Sequence, residues 1–104
     1  MIRKAFVMSV YEGAQAEYAR RHNPIWPELR QVFKAHGVAN YSIFLHPDTL
    51  QLFAYAELES EAQWAAIAAT QECRRWWQEM ADLMPHNSDG APLSVGLEEV
   101  FHVD

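Results

Sequence analysis

Cysteine is almost absent from this chain: Cys73 stands alone. No internal disulfide can form, and a single thiol fits a reducing compartment. Glycine is scarce too, with four residues too scattered to build a phosphate-cradling loop. Positive charge is in short supply: 8 Lys and Arg stand against 14 Asp and Glu, a net charge of -6. The basic footprint of a nucleic-acid binder is missing, so no nucleic-acid partner is expected. No apolar run approaches a membrane span, and the run near the amino terminus is too short for a signal peptide. The expected location is the cytoplasm, with no membrane partner. Repeats, linkers and low-complexity tracts are also lacking, and 104 residues suit one domain with one core. His36, His46, His86 and His102 show no metal-ligand spacing with a His, Cys or carboxylate, so no metal is expected. No Ser-His-Asp or Cys-His signature is visible, although such groups assemble in space rather than in sequence.

What the chain has in excess is aromatic side chains: four Trp, four Tyr and five Phe, more than a minimal core of this size requires. Aromatics with polar tips line carbohydrate and flat-ligand sites and interfaces as well as cores.

Ile2 to Val10 is nearly all apolar, with Phe6, Met8 and Val10 on one side and Ala5 and Val7 on the other, the pattern of a strand buried on both faces. Gly13 ends the connection, and Ala14 to His22 follows as a helix. A second helix begins at Pro27, where a missing N–H costs nothing. It carries Leu29, Val32, Phe33 and His36 at helical spacing and stops at Gly37. Asn40 to His46 alternates Tyr41, Ile43 and Leu45 with Ser42, Phe44 and His46. Pro47-Asp48-Thr49 turns the chain, and Leu50 to Leu58 alternates again, so a hairpin is expected. Ser60 to Gln63 is a capping box, opening a helix with Trp64, Ile67 and Ala68 on one face. Thr70 caps another helix, whose stripe of Cys73, Trp76, Trp77, Met80, Ala81 and Met84 runs until Pro85 stops it. His86 to Pro92 is a polar loop. Leu97 to Val103 is expected as the last strand, with Glu98 and Glu99 facing opposite ways.

The order strand, helix pair, strand, strand, helix pair, strand is the split β-α-β, ferredoxin-like arrangement. It is an α+β sandwich with a four-stranded antiparallel sheet and helices on one face. The other face stays uncovered and carries apolar residues, Phe44 among them. An open apolar face of that size is a liability in a monomer. Dimerisation through the sheets, a ligand pocket between sheet and helices, or both would remedy it.

Chemistry is densest in the stretch from Tyr18 to Pro27, which holds an imidazole, a phenol, an indole, two guanidiniums and two prolines. Tyr18 and His22 are four apart and share one helix face. Asn23-Pro24 breaks the helix, because a residue before proline is pushed out of the α region. His22 is thereby mounted stiffly at a helix C-terminus, where the helix dipole favours its protonated form and burial disfavours it. Such a group either caps carbonyls or performs acid–base chemistry near neutral pH. Tyr18 reads as an ordinary amphipathic-helix residue or as one end of a proton relay with His22. Tyr41 opens a strand and reads as core or rim. Trp76 and Trp77 point about 100° apart on a helix. At least one belongs to the core, and the other can stand as a platform for the C–H face of a sugar or an apolar ring. Cys73 reads as a small hydrophobe on the same stripe.

Four segments resemble the L-rhamnose mutarotase family: the opening Met1 to Met8, the block Glu17 to Leu29, Cys73 to Trp77, and the ending Glu99 to His102. The resemblance runs over essentially the whole chain, and the long block is highly specific. It implies a dimeric α+β barrel, made when two ferredoxin-like sheets face each other, and cytoplasmic interconversion of the α and β anomers of L-rhamnose. Residue by residue, His22 matches the family's proton donor, and Tyr18, Tyr41, Trp76 and Trp77 match its sugar-contacting positions. Mutarotation opens the ring, turns the aldehyde and recloses it without a redox step, so no metal or cofactor is expected. Two other classes stay open. A cofactorless or haem-degrading monooxygenase on the same barrel would show a Soret band or consume O2 with a quinol. A non-catalytic sugar-binding module would bind rhamnose without accelerating anomer exchange.

Overall fold

The computed structural model describes residues 1–104. β1 (Ile2–Ser9) is followed by α1 (Gln15–Arg21) and α2 (Pro27–Ala35). β2 (Val38–Leu45) and β3 (Gln51–Leu58) form the hairpin; α3 (Glu61–Ile67), α4 (Gln71–Met80) and β4 (Val95–Leu97) complete the chain. The sheet runs β2-β3-β1-β4 with every neighbouring pair antiparallel, which is the split β-α-β order expected from the alternation of elements.

Local chemistry sets the element ends. Pro27 occupies the start of α2. The Ser60 hydroxyl accepts the Gln63 N–H at 3.0 Å, and the Thr70 hydroxyl accepts the Cys73 N–H at 3.2 Å, so α3 and α4 are each capped by the residue before them. Gly37 takes a φ of +74°, and a Cβ there would lie 2.8 Å from the Glu59 Cβ. Only glycine lets α2 turn so tightly into β2.

The core lies between the sheet and the helices. Leu52, Ala54, Ala56 and Leu58 face it from β3, and Leu29 and Leu58 are fully buried. The apolar stripe of α4 continues past Met80 into the turn that carries the buried Leu83 and Met84.

On the far side of the sheet, Phe44, Phe53, Val7 and Val95 stand in one row across all four strands. Phe44 is 66% exposed and Val95 is 65% exposed. The expectation of a first strand buried on both faces is therefore corrected for the single chain. The Phe6 and Met8 side of β1 meets the helices, while Ala5 and Val7 on the other side are only half-buried in the single chain. The last strand is corrected as well. It spans Val95–Leu97, pairing with residues 5 to 7 of β1, and residues 98–103 have no partner strand. The apolar Val100, Phe101 and Val103 look like strand residues in sequence, but all three are highly exposed. Alternation reports a capacity to pair, and pairing also needs a neighbour. Glu99 is accordingly not a strand residue: its carboxylate accepts two hydrogen bonds from Arg3, at 2.9 and 3.0 Å.

Candidate active site

Between the helices and the sheet lies a cavity of 680 Å³, lined mainly by apolar side chains. The five residues singled out in sequence, Tyr18, His22, Tyr41, Trp76 and Trp77, all line it. They come from α1, β2 and α4, elements that only the folded chain brings together.

His22 closes α1 as its C-terminal cap. Its Nδ1 lies 2.8 Å from the Tyr18 carbonyl oxygen. A carbonyl oxygen only accepts, so Nδ1 carries the hydrogen, and in the neutral ring Nε2 keeps its lone pair. The imidazole is stacked on the Tyr18 ring at 4.4 Å and meets the edge of Trp76 at 5.1 Å and 89°. Burial lowers its pKa below the usual 6.5, against an opposing contribution from the Tyr18 carbonyl. Burial thus outweighs the hydrogen bond to the Tyr18 carbonyl, and the ring is neutral at neutral pH.

The two phenols are shifted the other way. Burial pushes Tyr18 up to about 12. Burial raises Tyr41 further, with Tyr18 and Cys73 as lesser causes. Both phenols stay protonated near neutral pH, as hydroxyls able to donate and accept hydrogen bonds. Tyr41 is enclosed edgewise by Phe33 at 5.3 Å and Phe6 at 6.5 Å and by a tilted Trp64 at 5.7 Å, a cage that fixes its ring. Trp76 is 8% exposed and packs edgewise on Trp26 at 5.0 Å, so it is the core member of the tryptophan pair. Trp77 is half-buried, and the loop passes over it at Gly90. Cys73 is buried in the cavity wall, and burial raises its thiol to about 11, so it carries no thiolate at neutral pH.

A charged tie holds this corner together. Arg21, next to His22, bonds Glu17 at 2.7 Å and Asp82 at 3.0 Å and also reaches the Glu79 carbonyl. It thereby clamps α1 to the end of α4. Arg20 and Arg21 together hold the Glu17 carboxyl at about 2. The two neighbouring guanidiniums, Arg20 and Arg21, are both paired with carboxylates within the fold.

Sequence reasoning missed several cavity residues. Trp64 reads as core yet lines the cavity beside Tyr41. Gln15 also lines it, three residues before Tyr18 and seven before His22, a spacing that places it on the same helix face. That spacing was the available signal. Asp82, sixty-one positions from Arg21, left no local trace. No group of three or more His, Cys, Asp or Glu side chains gathers where it could hold a metal ion.

Against known proteins, residues 3–103 match the family model for L-rhamnose mutarotase. The chain is 68% identical to the L-rhamnose mutarotase of Opitutus terrae over 104 residues, covering all of both chains. Its structure superposes on an L-rhamnose mutarotase from Formosa agariphila with a TM-score of 0.92 at 38% identity, again covering both chains completely. An antibiotic biosynthesis monooxygenase matches with a TM-score of 0.64 at 14% identity, over 96% of this chain and 99% of that one, a likeness of fold alone. Family model, full-length identity and structure agree, and the chain belongs to the L-rhamnose mutarotase family.

Proposed function

We propose that this protein interconverts the α and β anomers of L-rhamnose, with His22 as the acid–base group and Tyr18, Tyr41, Trp76 and Trp77 around the sugar. One observation carries the assignment of His22. Its tautomer is held by the Tyr18 carbonyl while the rest of the ring forms part of a cavity wall. In ring opening, the ring oxygen gains a proton, the anomeric hydroxyl loses one, and the bond from the anomeric carbon to the ring oxygen breaks. Rotation of the resulting aldehyde lets the ring reclose on its other face, with both proton transfers reversed. Nε2 carries the ring-oxygen proton: the minor, protonated fraction of the imidazole gives it up on opening, and the neutral ring takes it back on closure. The hydroxyl proton passes to water, directly or through the Tyr18 hydroxyl, which hands its own proton on to water as it accepts. The indoles pack against the apolar face of the pyranose and its methyl group. Nothing in this sequence of steps transfers an electron or calls for a Lewis acid.

Saturation-difference NMR on the anomeric protons of L-rhamnose tests the reading. Saturation is expected to pass between anomers much faster with protein than in buffer. Exchange at the buffer rate despite binding would leave a sugar-binding module.

The same reading takes the protein as a single domain, residues 1–104, acting as a homodimer whose two sheets face each other as a barrel. The apolar row of Phe44, Phe53, Val7 and Val95 and the exposed Val100, Phe101 and Val103 support it, because a second copy offers the same row. Sedimentation is expected to show twice the chain mass of 12.0 kDa for the natural protein and a shift towards one chain for Phe44→Glu. A natural protein sedimenting as single chains would end the dimer reading. The free Cys73 thiol suits a reducing compartment, and we place the protein in the cytoplasm.

A further inference from the structure

The Gln15 side-chain oxygen is the only buried side-chain nitrogen or oxygen in the chain that lacks a hydrogen-bond partner. Buried polar atoms are almost always paired, and an exception calls for a reason. Here the exception lies at the cavity. Gln15 is part of the cavity wall, on the α1 face that also carries Tyr18 and His22, and both of those residues line the same space. It is the amide on that face, set among rings and apolar side chains. The oxygen recovers its missing bond when it accepts from a ligand hydroxyl.

We propose that Gln15 is a specificity-determining residue, whose amide hydrogen-bonds one hydroxyl of the pyranose and so sets which sugars seat beside His22. The proposal rests on the mutarotase reading for the identity of the sugar. It does not require Gln15 to move a proton. A site built to bond a hydroxyl rejects the analogue that lacks it, because its own polar group is then left unpaired. Gln15 therefore discriminates among sugars that differ at one hydroxyl, while the aromatic walls accept any pyranose of the right shape.

The test compares the natural protein with Gln15→Met, which keeps the length of the side chain and removes its hydrogen bonding. Binding is followed by tryptophan fluorescence, exchange by NMR, and folding by circular dichroism. The ligands are L-rhamnose and its monodeoxy analogues. Gln15→Met is expected to weaken L-rhamnose binding about tenfold. Exchange at saturating sugar should stay within a few-fold of the natural rate. For one deoxy analogue the two proteins should bind equally, which identifies the hydroxyl concerned. Equal binding of L-rhamnose by both proteins overturns the proposal, and so does a uniform loss across every analogue, which would mark Gln15 as a packing residue. If Gln15→Met does not fold, Gln15→Leu takes its place: it too removes the acceptor, and the same loss of discrimination at one position is read. Natural protein that binds L-rhamnose without accelerating exchange defeats the mutarotase reading alone, since the binding comparison still decides the role of Gln15. Natural protein that binds none of the sugars overturns both.

Discussion

His22→Ala is expected to slow anomer exchange by roughly 10²–10⁴, the usual contribution of a positioned acid–base group. Binding of L-rhamnose should change far less, because aromatic walls and hydroxyls from three elements remain. Saturation transfer between the anomeric signals measures both quantities in one sample. A folded His22→Ala protein with the natural exchange rate would remove His22 from the mechanism. The pH dependence supplies an independent reading. Burial lowers the imidazole below 6.5, so the His22 ring signal should titrate with a midpoint under that value. The exchange rate should bend at the same midpoint in the natural protein and show no such bend in the alanine variant. Stability follows with a definite sign. The unfolded chain holds the proton more tightly than the folded one, so stability rises with pH across the gap between the two midpoints. The contribution is complete above 6.5 and is lost as pH falls from there towards the folded midpoint.

Trp76→Ala is expected to destabilise the protein by about 3–5 kcal/mol, the range for deleting a buried aromatic side chain. Trp77→Ala should cost roughly half of that or less, because its ring keeps much of its water contact and less apolar area is lost. The difference follows from geometry. Trp76 is 8% exposed, meets Trp26 edgewise and packs perpendicular to the His22 ring at 5.1 Å. Its removal opens a void at the core and frees the imidazole at once, so exchange should fall together with stability. Trp77 lines the cavity without that central position, so its loss should appear first in sugar affinity. Urea unfolding followed by circular dichroism, beside sugar titrations, separates the two. Equal stability losses for both variants would contradict this division.

Much of this was readable in the chain. The helix stop at His22-Asn23-Pro24, proline at the start of α2, the caps at Ser60 and Thr70, and the alternation in β2 and β3 all arise from interactions within a few residues. Local chemistry of that kind is written locally. The end of the chain was misread for the complementary reason: Val100, Phe101 and Val103 carry a strand pattern, yet only residues 95 to 97 find a neighbour in β1. The doubt over which tryptophan belongs to the core could not be resolved from a helical angle either. It depends on Trp26, fifty positions away in sequence.

By itself, the sequence determined the order of the elements, the α+β class, the stiff mount of His22 and the residue types available for proton transfer. Each of these rests on backbone preferences and periodicity, which act over a few positions. Tertiary structure alone decided that Tyr18, His22, Tyr41, Trp76 and Trp77 line one cavity, that burial lowers the His22 pKa, that Arg21 is paired with Asp82, and that the Gln15 side-chain oxygen is left without a partner. Desolvation and pairing depend on every atom within a few ångströms, and most of those atoms belong to residues far away along the chain.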